Sequence, residues 1–280
     1  MLPDDLRKKV EAIGRRRPRR PPLPPVTGEE RTGVPLEKAL GARVLERPEG
    51  ACLLVQRRIE EVLPDADEVE ALYRHVLERG ACDPDRAARH PHLAALLERE
   101  PAELVYLDLE TGGLDSSASV FLAGLMTYAD GALTVSQLLA RDPSEEGAVI
   151  AAAGDILAKR PVLVTFNGRA FDWPCLAARA EFFGVSIAPP AFHVDLLHLA
   201  RGLWKRDLPD CRLTTLEALV CRRYRSGDVP SRRVPAVYRD FLESGDPARL
   251  RILLRHNVMD VVSMAELLLA MLLGRDAFGD

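Results

Sequence analysis

Three short segments put acids where a hydrophobic core is expected. The first is Leu107-Asp108-Leu109-Glu110-Thr111-Gly112. On a strand, residues i and i+2 point to the same side, so Asp108 and Glu110 are neighbours on one face. Val105 and Leu107 before them fit a strand running into the interior. Two adjacent carboxylates there repel each other and are costly to desolvate unless a cation sits between them. The second segment is Phe166-Asn167-Gly168-Arg169-Ala170-Phe171-Asp172-Trp173-Pro174. A strand ends at Phe166, Asn-Gly turns, and Asp172 falls in the first turn of a helix, where the dipole favours a carboxylate. The third is His256-Asn257-Val258-Met259-Asp260, in a helix whose apolar face carries Leu250, Leu253, Leu254, Val258 and Val261. His256 and Asp260 are one turn apart on one side. Asn occurs twice in the chain, at 167 and 257, each time beside these acids. Four acids and one His converging suit two divalent, oxygen-loving cations for in-line phosphoryl chemistry. Charge balances only with the cations bound, so the site is expected to be silent in chelator.

The elements that must position these residues can be read from periodicity. ELVYLDL is a buried strand, and SASVFLAGLMTY and ALTVSQLLA are two more, joined by a turn at Asp130-Gly131. SEEGAVIAAAGDILAK is an amphipathic helix with Ser144 as its candidate cap, PVLVTF a short buried strand, and AFDWPCLAARAEFF a helix. A strand near FHVDLL and several helices follow, the last over 248–273. A three-strand meander followed by helix–strand–helix–strand predicts an α/β fold: a mixed sheet with helices on both faces. Ahead of it, 40–56 reads as two short strands around Pro48-Glu49-Gly50, and 66–79 and 85–99 read as helices. The expected organisation is an Arg/Pro-rich tail over 1–35, a small N-terminal extension over 36–100, and the main domain over 101–275.

Composition narrows the function classes. The chain has 280 residues and a net charge of -4. Residues 1–47 hold 12 Lys+Arg against 7 Asp+Glu, so the rest is strongly acidic. An acidic body is not a general nucleic-acid coat, and any polyanion it handles is met by local basic patches or by metal. Five cysteines without a CxxC pair exclude a disulfide scaffold and suit a reducing, cytoplasmic setting. No uninterrupted apolar run approaches the roughly 18 residues of a membrane span, and the N-terminal charges are not followed by a signal-like apolar stretch. The RRRPRRPPLPP run cannot bury a core and reads as a solvated linker, a basic arm, or a docking tail for a protein partner.

Together the motifs resemble the DEDD-type 3′→5′ exonucleases of the ribonuclease-H-like superfamily. Asp-x-Glu matches Asp108 and Glu110, Asn-x-x-x-Phe-Asp matches Asn167, Phe171 and Asp172, and the third motif matches His256 and Asp260. HVDLLHLARGLW, CRLTTLEALV, GDVPS and RHNVMDVVSM resemble the bacterial YprB-like family, over roughly residues 100–272. The resemblance implies a ribonuclease-H-like fold and a two-metal hydrolase using Mg2+ or Mn2+. It implies Asp108, Glu110, Asp172 and Asp260 as metal ligands, Asp172 directly or through water, and His256 as general base. The implied substrate is single-stranded DNA, slightly preferred, or RNA, with a free 3′ end, releasing 5′-mononucleotides. Two departures stand out. The family carries Tyr-x-x-x-Asp or His-x-x-x-x-Asp, whereas His256 has the spacing of the Tyr class. Ser231 stands where the subgroup has Gly. Alternatives are a structure-specific or RNA-trimming nuclease, or a nucleic-acid-binding or partner-recruiting module with an idle centre.

Candidate substrate contacts are Thr111 and Leu109 at the 3′ end, Phe171 and Trp173 for base stacking, and Asn167 and Asn257 beside the acids. Arg222, Arg223, Arg225, Arg232 and Arg233 around GDVPS, with Lys205 and Arg206, are candidate phosphate contacts. Asp195 reads as a helix N-cap. Cys82, His90 and His92 fit no standard zinc spacing.

Overall fold

Strand β3 (Leu104–Thr111) is apolar on both faces as far as Leu107 and is buried along nearly all its length, as a central strand must be. The computed structural model describes residues 34–78, 80, 82–85, 90–113 and 118–274. On one side β3 pairs antiparallel with β4 (Val120–Ala129). That strand turns through Asp130 and Gly131, both at positive φ, into antiparallel β5 (Ala132–Leu139). Positive φ at both positions matches the twist of a two-residue hairpin. On its other side β3 pairs in parallel with β6 (Val162–Thr165), which pairs in parallel with β7 (Phe192–Asp195). The expected α/β mixed sheet, a meander plus parallel strands, is what forms.

The sheet also extends past the meander. β1 (Arg43–Arg47) and β2 (Gly50–Arg58) form a hairpin whose second strand pairs antiparallel with β5. The order is β1-β2-β5-β4-β3-β6-β7 among the described residues. The described residues between 36 and 100 share this sheet and its core, since Ile59, Val69, Tyr73, Leu93 and Leu96 are buried with residues of β3, β4 and β6. All but the last two residues of the expected Arg/Pro tail lie outside the described residues.

Helices cover both faces. Against one face pack α2 (Ala66–Tyr73), α3 (Pro91–Leu97), α6 (Leu196–Trp204) and α7 (Leu213–Leu219). Against the other pack α1 (Leu36–Leu40), α4 (Glu146–Leu157), α5 (Asp172–Phe183) and α8 (Val234–Ser244). Asp142, not Ser144, caps the turn that opens α4, accepting from the Ser144 backbone N–H at 2.8 Å. The longest helix, α9 (Pro247–Leu273), starts at an Asp246 cap with Pro247 in its first turn. Leu250, Leu253 and Leu254 join one core and Val258 onward joins the other. His256, Asn257 and Asp260 sit where α9 changes cores. By length and composition α9 passes for a membrane span, but 89% of its apolar window is buried, as in a core helix.

Candidate active site

Along β3, Leu104 and Tyr106 face one core while Val105, Leu107 and Leu109 face the other. Asp108 and Glu110 continue the Leu104–Tyr106 row, so two carboxylates end a line of core positions. The end of this row opens on a cleft of about 660 Å³ lined by Asp108, Glu110, Asp172, His256 and Asp260. All five predicted catalytic positions meet there.

Each acid is anchored locally. Asn167 adopts a left-handed φ of 64°, and a Cβ on Gly168 would lie 2.4 Å from Thr165 Cβ, so this turn needs its Asn-Gly pair. The turn is tied down by Asp195, whose carboxylate accepts from the backbone N–H of Asn167 at 2.8 Å and of Arg169 at 3.1 Å. Asp195 also caps α6 through the Leu197 N–H, the role expected of it. With the turn set, Asp172 reaches across to β3 and accepts from the Leu109 backbone N–H at 2.9 Å. From α9, Asn257 donates to Asp108, and its own Oδ1 accepts from Gln137.

The acids are held in electrostatic tension. Burial, then the charges of Asp260, Glu110 and Asp172, push the Asp108 carboxyl well above the usual range. Burial raises Glu110 to about 8 despite the nearby His256, and raises Asp172 to about 7 against two backbone hydrogen bonds. Glu110 Oε1 is buried without a hydrogen-bond partner. One donor atom each from Glu110, His256 and Asp260 lies within 4.8 Å of the others. An orphaned buried carboxylate oxygen among mutually repelling acids fits a divalent cation held by oxygen ligands. Burial opposes a charged His256, but the Asp228 hydrogen bond and the acids around it outweigh burial and raise it to about 9.

The substrate contacts divide. Thr111, Asn167, Phe171 and Arg232 line the cleft. Trp173 does not; it packs against the core between the sheet and α5. Asn257 is fully buried and its amide is spent on Asp108 and Gln137, so it positions an acid rather than meeting substrate. Arg223 also turns inward, 1% exposed, pairing with Glu266 at 2.6 Å and Asp65 at 2.9 Å. A guanidinium committed to two buried carboxylates is not available to a phosphate. Arg225 is similarly enclosed by Glu217, Asp228 and Asp260. Arg222 is half-buried at a left-handed φ and lies outside the cleft lining. The exposed arginines that do line the cleft include Arg201 and Arg212, which the sequence reading passed over. It also passed over Asp228, whose oxygens lie 3.0 and 3.1 Å from His256 Nδ1. GDVPS was a visible signal there, but the contact spans 28 residues.

Residues 105–272, more than half of the chain, match the family described as the RNase_H superfamily. The chain belongs to the RNase H superfamily. A relative in this superfamily-like region is protein YprB of Bacillus subtilis (strain 168), 34% identical over 174 residues. The match covers 60% of this chain and 41% of YprB, so the chain spans about two-fifths of that relative's length. Among solved structures, the family B DNA polymerase of the hyperthermophilic archaeon Pyrobaculum calidifontis is similar over 59% of this chain and 24% of its own, at a TM-score of 0.48 and 21% identity. By its family match the chain carries an RNase H-like domain, with its acids gathered at one cleft.

Proposed function

We propose that this RNase H-like domain is a two-metal 3′→5′ exonuclease on single-stranded nucleic acid, with DNA slightly preferred, releasing 5′-mononucleotides. The observation that carries the reading is the meeting of Asp108, Glu110, Asp172 and Asp260 at one buried cleft floor. Those four carboxylates would hold Mg2+ or Mn2+. Bound there, divalent cations supply positive charge against the phosphate and acidify water. With cations bound to Glu110 and Asp260 offsetting the charges that keep the ring protonated, a neutral His256 would take the proton of the attacking water at Nε2, which faces those two acids at 3.8 and 3.6 Å. Thr111 and Leu109 meet the terminal nucleotide, Phe171 offers a ring to its base, and Arg201, Arg212 and Arg232 hold phosphates at the cleft rim.

The test is cleavage of 5′-labelled single-stranded DNA and RNA with Mg2+ or Mn2+, beside Asp172→Asn. A ladder shortening from the 3′ end, absent in the variant and in chelator, is expected. Internal cuts would replace the reading with a structure-specific nuclease. Metal and strand binding without any cleavage would replace it with a recruiting module.

A further inference from the structure

His256 is 3% exposed, and its ring is gripped on one edge only. Nδ1 faces both oxygens of Asp228 at nearly equal distance, while Nε2 faces the acids across gaps longer than a hydrogen bond. Asp228 is itself immobilised. Its Oδ1 accepts from the Val229 backbone N–H at 2.9 Å, and its Oδ2 meets Arg225 Nη1 at 3.1 Å. Arg225, 6% exposed in its side chain, is locked by Glu217 at 2.7 Å and by Asp260 at 2.6 Å. Ser263, one turn beyond Asp260 on α9, donates to the same Glu217. One buried network therefore joins the proton-accepting ring, an acid of the cleft floor and the turn after α7.

We propose that Asp228, in the Gly227-Asp228-Val229-Pro230-Ser231 turn, is a positioning residue that fixes the orientation and tautomer of His256. The proposal rests on the nuclease reading for its catalytic meaning. An ionised carboxylate only accepts, so the neutral ring beside it carries its proton on Nδ1. The Nε2 lone pair is then directed to the cleft, where water and phosphate meet. Without Asp228 the ring is free to flip or to carry its proton on Nε2, and an Nε2 that already holds a proton has no lone pair to accept one from water. Arg225 keeps its two other carboxylates in that case, so the network does not collapse with the loss of one member. The turn thus serves the chemistry through His256 rather than by touching substrate.

The experiment is nitrogen NMR of the His256 ring in the full, Mg2+-loaded chain, alongside steady-state cleavage by the wild type and Asp228→Asn. In the wild type the neutral ring is expected to hold its proton on Nδ1. In the isosteric variant that single state is lost, and kcat falls about 100-fold at unchanged KM. A wild-type neutral ring protonated on Nε2 overturns the proposal and needs no variant. Ring signals or kcat unchanged in Asp228→Asn also overturn it, as does a fall in kcat matched by loss of Mn2+ binding. If the wild type cleaves nothing, the nuclease reading fails while the ring nitrogens still decide the role of Asp228.

Discussion

Asn257 on α9 bridges to β3, its Nδ2 donating to the Asp108 carboxylate at 2.8 Å and to the Asp108 carbonyl at 3.1 Å. The bridge needs a close approach: a Cβ on Gly124 of β4 would lie 2.1 Å from Asn257 Oδ1. Replacing Asn257 with Ala removes the donor to Asp108, leaves the Gln137 amide only the Leu254 carbonyl as acceptor, and opens a cavity. A loss of about 1–3 kcal/mol is expected, with weaker Mn2+ binding, read by chemical denaturation and by titration calorimetry. Gly124→Ala should displace the same amide and weaken Mn2+ binding too; unchanged binding in both variants would refute the bridge's role.

Glu110 behaves as a strained group until a cation arrives. Its folded pKa is raised from 4.5 to about 8, so folding favours the protonated form. Stability from this group is complete below its unfolded pKa and is lost as pH rises through about 8. Glu110→Gln stays neutral throughout. The variant should melt close to the wild type at pH 5 and clearly above it at pH 9 in chelator, while cleaving nothing. Thermal melts at the two pH values check this.

Asp172, raised to about 7, adds to the same slope, and His256, raised to about 9, extends it, because the folded chain holds more protons than the unfolded one in each window. Asp228, held near 2 by His256 and Arg225 against the effect of burial, acts at the opposite end, its contribution lost as pH falls through about 2. Metal-free stability should therefore fall from about pH 5 to 9. Mn2+ affinity should rise through pH 7 to 8 as Asp172 and Glu110 give up protons. Calorimetry in buffers of different ionisation enthalpy measures the protons released; none released would contradict the assignment of these acids as ligands.

Arg212 and Arg232 are exposed at the cleft rim and Arg223 is not. Arg212→Ala and Arg232→Ala should raise KM for single strands with kcat retained. Each should also lower the salt slope of binding by about 0.7. Filter binding across a salt series reads this directly, and an unchanged slope would remove these side chains from the phosphate path.

Arg223→Ala should act through the fold instead. It leaves Glu266, fully buried, and Asp65 without their guanidinium. About 3–5 kcal/mol of stability is expected to be lost, with KM unchanged in the fraction that folds. Denaturant unfolding and kinetics below the midpoint separate the two effects.

Much of the molecule was written locally in the sequence. Asp108 and Glu110 share a face because strand side chains alternate, and His256 and Asp260 share one because a helix turns in 3.6 residues. The Asp130-Gly131 turn, the Asp195 cap and the span of α9 follow from short-range chemistry of the same kind. Those rules operate within a few residues, so the acids and their supporting elements were legible. The fate of the arginines was not. Arg222, Arg223, Arg225 and Arg232 lie within eleven residues of one another, yet one is half-buried outside the cleft, two are buried in ion pairs and one faces the cleft. Their partners, Asp65, Glu266 and Asp260, come from distant parts of the chain. An exposed arginine and a paired one have the same local pattern, because the difference is a carboxylate supplied by folding. The same holds for Asp228 and His256, which meet only once the turn after α7 packs against α9. Sequence alone determined which acids and which histidine would meet at one cleft, because those patterns are local; the tertiary structure decided which charges hold them in place and which stay exposed at its rim, because those partners are distant in the chain.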